Sequence, residues 1–400
     1  MSNTFETISK LMIGKESEKF KPYRSTAYPA SGWVSNELIF NAISGDNRHM
    51  LKVKGGFFKD GHGKVYTFSK GSKTTSGERI KGEQLQIPWK DRFKPEVIEN
   101  VAEFKKSVVD LEEYGRRYKL EKAVERVVGG EVLTEEELTE LGTTDVIKEF
   151  EISNDKRKEF IAESDFAEHL HKIIPSDQVY NKLFKVLGEI LYTEYKGKYY
   201  KKFVPSRIYL AEKDAVPMST AQITLFFNKH SLDDGLLKKT GKYFVNGFIR
   251  NYDNDQKKEI SAPVSLVIDV SKDGEDDKVK KFNTMMINQF TVKDKSWKEL
   301  GLKVKLIDGA QKMEITPDML SDFQKELLEM EAITLDEIRK EIGGDVYGDK
   351  IEEMVIINVA KGYSKGRKDT VLADSDFVIA EVAKDEEDDI FDVDDTDIPY

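Results

Sequence analysis

Four hundred residues, 39% of them hydrophobic and 34% charged, suffice for two or three packed domains and exceed one small barrel. The chain has no cysteine, which rules out disulfides, thiolate metal sites and cysteine nucleophiles. The net charge of -11 divides unevenly: residues 385–400 hold nine acids and no base, residues 1–384 carry only -2, and residues 48–94 set twelve Lys or Arg against four Asp or Glu.

After a short polar start, residues 32–69 read as strands, with Trp33-Val34, Leu38-Ile39-Phe40, Met50-Leu51-Lys52-Val53 and Val65-Tyr66-Thr67-Phe68 separated by Gly or Asn/Asp clusters. Asp60-Gly61-His62-Gly63 suits a hairpin loop. From residue 96 the period changes. Val97, Val101, Phe104, Val108 and Leu111 fall three or four apart, Thr134 with Glu137 forms a capping box, and Ser176 is placed to cap a helix with the stripe Val179, Leu183, Val186, Leu187, Ile190 and Leu191. Residues 96–194 are therefore expected to be mainly helical.

Strands return as Arg207-Ile208-Tyr209-Leu210, residues 222–226, 243–249 and 264–268, with a turn at Asp253-Asn254-Asp255, a density that favours a small barrel or sandwich. A helical pair is expected next, opened by Thr316-Pro317 and by Thr334, which precedes Gly343-Gly344, and then strands at 354–359 and 377–382. Beyond Lys384 the composition is too acidic and too poor in apolar residues to fold. The expected fold class is α+β: OB-like β-barrel structure, as one interrupted barrel or two, with a large helical region and a disordered acidic tail. The expected divisions are 1–95, 96–194, 195–384 and 385–400.

Holding a single strand without reading its sequence takes cations for phosphates and exposed aromatic rings for bases. Two segments offer both. In the first, Lys52, Lys54, Lys59, Lys64, Lys70 and Lys73 interleave with Phe57, Phe58, Tyr66 and Phe68, followed by Trp89. Alternation puts Lys64, Tyr66 and Phe68 on one strand face and Val65 on the other. The second spans residues 195–209, with five cations, five aromatics and no acid: Lys198, Tyr199, Tyr200, Lys201, Lys202, Phe203, Arg207 and Tyr209 carry it. Its structural alternative is a helix end running into a strand. Lys361-Gly362-Tyr363-Ser364-Lys365-Gly366-Arg367-Lys368 reads either as a flexible basic loop that clamps a backbone or as a solvated loop.

Enzymatic signatures are weak. Lys54-Gly55-Gly56-Phe57, Val128-Gly129-Gly130 and Gly343-Gly344 lack phosphate-loop spacing, His169 and His171 fall on different faces of a helix, and Asp269 at a strand end reads as a solvating charge. No catalytic residue, metal or cofactor is expected. No apolar run approaches the roughly 20 residues that cross a bilayer, and residues 1–15 lack a signal-peptide pattern, so a cytoplasmic location is expected.

The C-terminus is the most specific feature. Asp394, Asp395 and Asp397 precede Ile398-Pro399-Tyr400, a short apolar cap with no internal reason to be exposed and a natural fit to a partner's apolar slot beside a basic group. In this the chain resembles the bacterial and phage single-stranded-DNA-binding proteins, whose tails end in acids followed by Ile-Pro-Phe; here Tyr400 replaces the phenylalanine and Thr396 interrupts the acids. The resemblance implies an OB fold, a body that coats single-stranded DNA, and docking of replication, recombination and repair proteins through Asp394, Asp395, Asp397, Ile398, Pro399 and Tyr400. The length and helical insertions suggest a phage or mobile-element protein acting in the bacterial host cytoplasm. A recombination mediator or strand-annealing protein is the alternative, ahead of a metal-dependent nuclease or a phage structural protein.

Overall fold

The structure, a computed structural model, describes residues 3–73, 79–113, 115–253, 256–271, 274, 276–313, 320–330, 332–334 and 346–377. The acidic tail with Asp394 to Tyr400, Thr316-Pro317, Gly343-Gly344, Asn254-Asp255 and residues 378–382 lie outside them.

Among the described residues the fold is α+β around one fifteen-stranded sheet. In chain order its first part holds β1 (Thr4–Met12), β2 (Tyr23–Tyr28), β3 (Trp33–Ser44) and β4 (Asn47–Phe58), then a two-stranded ribbon of β5 (Lys64–Phe68) and β6 (Gln84–Pro88). There follow α1 (Pro95–Asn100), β7 (Ser107–Glu113), α2 (Arg116–Val128), α3 (Glu135–Leu141), α4 (Val146–Asp155), β8 (Arg157–Phe160) and α5 (Glu163–Ile173). The long strands β9 (Leu183–Tyr195), β10 (Lys198–Leu210), β11 (Met218–Phe227), β12 (Lys242–Asp253) and β13 (Lys258–Asp269) precede α6 (Asp277–Phe290). β14 (Lys298–Met313), α7 (Asp322–Glu329) and β15 (Val346–Val359) follow, and two-residue strands at Leu232–Asp233 and Lys368–Asp369 bring the sheet, which excludes the β5–β6 ribbon, to fifteen.

Strand pairing runs in two circuits of the same order. In the first, β1 pairs with β3, β3 with β4, β4 with β10 in parallel at Leu51 and Phe203, β10 with β9, and β9 with β1 again. In the second, β11 pairs with β12, β12 with β13, β13 with β15 in parallel at Val267 and Val355, β15 with β14, and β14 with β11. Each circuit places a helix, α5 or α6, between its third and fourth strands in chain order. The circuits join where β1 meets β11, antiparallel from Thr4 opposite Gln222 to Ile8 opposite Met218. One core cluster runs from Phe5 through Phe184 and Leu266 to Tyr363, and α2–α4 enclose a separate small core of Leu120, Ala123, Leu133, Leu141 and Val146.

Several sequence expectations change. Residues 183–195 are strand, because burial alternates by two (Phe184, Val186, Ile190 and Tyr192 inward) and the chain pairs with β10 from Phe184 to Tyr195 and with β1 from Leu183 to Glu189. Ser176 caps no following helix; its hydroxyl donates to Ile173 O at 2.6 Å, just past the end of α5. The stripe from Val97 to Leu111 breaks after Asn100, and Val108 and Val109 belong to β7. The loop 60–63 does not close a hairpin, since β4 pairs with β3 while β5 pairs with β6. Helix α7 is capped by Ser321, whose hydroxyl accepts from Gln324 N at 3.3 Å, and Phe377 ends a 3-10 turn, Asp374–Phe377. The Thr134 box is present: its hydroxyl accepts from Glu137 N at 3.2 Å while Glu137 Oε2 accepts from Thr134 N at 2.9 Å. Strands β1 and β14 and helix α6 have no counterpart in the sequence reading.

The glycine pair 55–56 has a packing cause. A Cβ on Gly55 would lie 2.4 Å from Ser164 N, and one on Gly56 2.3 Å from the Trp33 ring, so the start of α5 and an indole occupy the room a side chain needs.

Candidate nucleic-acid interface

The ribbon β5–β6 shows the expected alternation. Lys64, Tyr66 (66% exposed) and Phe68 (39% exposed) share the outer face, while Val65 and Thr67 turn inward with Ile87 and Val101. Lys64 Nζ donates to Gln86 Oε1 on β6 at 3.1 Å. Lys59 and Lys54 are exposed, and Lys70 Nζ lies 3.7 Å from Glu103.

Beside Phe68 the chain brings together residues that the sequence reading separated. Ala102 N donates to Phe68 O at 2.8 Å, and this places Phe104, 73% exposed, and Lys105 next to the ribbon. Lys105 Nζ stands 5.6 Å from the Phe68 ring and 5.8 Å from the Phe104 ring. From β10, Arg207 Nη2 reaches Glu103 O at 3.0 Å. Phe68, Lys70, Phe104, Lys105 and Arg207 thus form one basic-aromatic cluster. Phe104 and Lys105 were missed because the apolar spacing 97–111 absorbed Phe104 into a helix face; the run Phe104-Lys105-Lys106 was the available signal. Lys106 is itself structural: burial opposes its charge, yet Glu159 at 2.8 Å and Glu103 at 2.9 Å outweigh it and raise the ammonium pKa.

The second segment is a hairpin. Tyr195-Lys196-Gly197-Lys198 joins β9 to β10, with Lys196 at φ 50° and Gly197 at φ 76°, as a two-residue turn matched to strand twist requires. Tyr195, Lys196, Lys198 and Tyr200 are exposed at its tip, and Lys196 Nζ is 5.6 Å from the Tyr195 ring. From tip to Arg207, β10 extends roughly 30 Å at strand rise. Lys202 and Tyr209 lie along it, both half-buried.

Other candidates are engaged elsewhere. Phe203 is 4% exposed, in the core edge-on to Phe5 at 5.2 Å, so no base can stack on it. Lys201 pairs with Glu352 beneath that ring, and Tyr199 is half-buried with its hydroxyl pKa raised by burial and by Glu194. Phe57 stacks on Trp89, Phe58 packs against Trp33 and His62, and Lys52 pairs with Glu37 at 3.0 Å. The Lys73 side chain lies outside the described residues. The basic loop 361–368 is anchored: Tyr363 is buried with its hydroxyl donating to Glu299 Oε1 at 3.0 Å, and Arg367 Nη1 donates to Asn288 O at 2.9 Å, near the end of α6.

Among the described residues no three His, Asp or Glu side chains group to hold a metal, and no helix is long and apolar enough to cross a membrane. Asp269 Oδ1 accepts from Ser271 N at 3.0 Å and from its hydroxyl at 2.6 Å. His171 stacks on Tyr23 at 4.4 Å, and His169 lies 5.0 Å from Phe160.

No protein-family model matches the chain, and no curated protein matches it in sequence. Among solved structures it is similar to a deletion mutant of the single-stranded DNA binding protein from Thermus aquaticus, at a TM-score of 0.27 and 8% identity, over 77% of this chain and 87% of that one. Likeness of that degree decides neither fold nor ligand.

Proposed function

We propose that the chain binds single-stranded DNA without reading its sequence, performs no catalysis, and recruits replication or recombination proteins through Asp394, Asp395, Asp397, Ile398, Pro399 and Tyr400. The observation that carries the reading is the contact of Arg207 with Glu103 O, which sets β10 against the exposed rings of Phe68 and Phe104 with Lys105 near both rings and Lys70 beside Glu103. Cations bind phosphates by displacing counterions, and rings accept any base, each stack contributing about 1–3 kcal/mol. The pairing order supports it: five strands whose third and fifth run parallel, with a helix before the fourth, match an OB-type barrel in each circuit. In that reading the first barrel takes its strands from both sides of the insertion 59–182, and the Tyr195–Lys198 turn is the loop between its fourth and fifth strands. Oligonucleotides bind OB barrels along strands two and three and at such loops.

The test is fluorescence anisotropy with labelled oligo-dT and a duplex across a salt series, using the full chain and a chain ending at Lys384. Single-strand binding that weakens with salt, is retained without the tail and drops in Phe104→Ala and Arg207→Ala is expected. Equal affinity for duplex, or no effect of either substitution, would remove the proposal.

A further inference from the structure

The last described segment folds back onto the second circuit. Phe226 on β11 is registered opposite Phe248 on β12, and Phe248 opposite Pro263 on β13, so these side chains form a row across the outward sheet face. Trp297, just before β14, packs edge-on to Phe248 at 5.8 Å. Onto this aromatic floor the chain sets its own ring. Phe377, only 4% exposed, lies 3.9 Å from Trp297, 5.1 Å from Phe248 and 5.9 Å from Phe226.

Anions accompany the ring. Asp369 Oδ1 lies 2.5 Å from Lys298 Nζ, which Asp294 also holds at 2.9 Å, and Asp374 Oδ1 accepts from Trp297 Nε1 at 2.8 Å. Ser261 on β13 donates to Asp376 O at 2.7 Å. Residues 369–377 thus present a flat ring to three aromatic side chains and a carboxylate to a lysine beside them. A nucleotide of a single strand presents the same two groups, a base and a phosphate. The face continues past Phe226 into an open groove of about 310 Å³, lined by Tyr252, by Arg250 paired with Glu259, and by Tyr363 bonded to Glu299.

We propose that the outward face of β11–β12–β13 is a second single-strand-binding site, taking a base on Trp297, Phe248 and Phe226 and a phosphate on Lys298, and that residues 369–377 are its intramolecular occupant, displaced when the strand binds. The proposal rests on the single-strand reading of the first circuit and adds a second, covered surface to it. Occupancy by the arm makes this site the weaker of the two, filled only after the first.

Oligo-dT titrations of the full chain test it, with the parent and a Phe377→Ala, Asp374→Asn variant compared by tryptophan fluorescence and by nucleotides bound per molecule at saturation. The variant is expected to fill the second site at roughly ten-fold lower oligo-dT concentration, the equivalent of one stacked ring removed from competition. Hydrogen exchange on the unsubstituted chain gives a second readout that needs no buried substitution: saturating oligo-dT should speed exchange at Asp376 N, which donates to Ala373 O at 3.0 Å. Oligo-dT binding that responds to Arg207→Ala while exchange at residues 369–377 and the variant's stoichiometry stay as in the parent overturns the second site alone. Absence of any oligo-dT binding by parent and variant overturns both sites.

Discussion

Phe57 and Trp89 stack on each other, ring centroids 5.3 Å apart and planes 6° from parallel, and the Arg92 guanidinium lies 3.8 Å from the same indole. Arg92 in turn grips Asp165 of α5 through two hydrogen bonds, 2.7 Å from Nε and 3.1 Å from Nη2. Two rings that composition offers as platforms for bases are thereby committed to fastening the loop after β6 to the α5 side of the first circuit.

The first prediction separates structural rings from exposed ones. Trp89→Ala should cost about 3 kcal/mol of stability by leaving a packing gap. Tyr66→Ala, at an exposed site, should change stability by no more than about 0.5 kcal/mol and weaken oligo-dT binding by about 1–3 kcal/mol. Urea unfolding paired with anisotropy measures both; a Tyr66→Ala protein with parental affinity removes Tyr66 from the interface.

Arg92→Ala should destabilise by about 3 kcal/mol, because Asp165 is left mostly buried with its partner gone. Arg92→Lys should recover only part, since an ammonium does not reproduce the forked contact. Equal urea midpoints for the lysine variant and the parent would contradict the role assigned to the fork.

Salt dependence tests the cationic cluster. Lys105→Ala and Arg207→Ala should each reduce the slope of log affinity against log salt by about 0.7, the value for one phosphate contact on a single strand. Unchanged slopes would place the phosphates elsewhere.

The pH prediction concerns His169. Burial, with Lys158 and Lys172 nearby, lowers its pKa from the usual 6.5 in the folded chain. The unfolded chain therefore takes the proton more readily, so this contribution to stability is complete above about pH 6.5 and declines as the pH falls toward the folded-state value. Replacing His169 with Gln should flatten the urea midpoint between about pH 5 and 7; a slope identical to the parent's would show that other groups set it.

The expectations that depended only on local alternation survive best. Lys64, Tyr66 and Phe68 face outward because a strand's side-chain period is two, whatever it packs on. The stretch 183–195 misled because Leu183, Val186, Leu187, Ile190 and Leu191 satisfy a helical period too; Phe184, Tyr192 and Thr193, β-forming residues outside that stripe, and Gly188 within it were the contrary signals. The fate of Phe57, Trp89 and Phe203 was illegible, since each is covered by residues distant in the chain. The pairing of Thr4 with Gln222 has no local signature at all.

That last pairing bears on how the molecule is made. Strand β1 precedes all of its neighbours in the chain, sharing its two edges among β3, β9 and β11, and β11 ends at Phe227. Residues 13–227, from the end of β1 at Met12 to the end of β11, must all be synthesised before β1 finds its final neighbour. Until then the edge of β1 that β11 will cover exposes unpaired backbone to any strand that passes, which leaves it open to mispairing. Joining of the two circuits waits on that pairing, whereas the first circuit takes its last strand earlier, from β10.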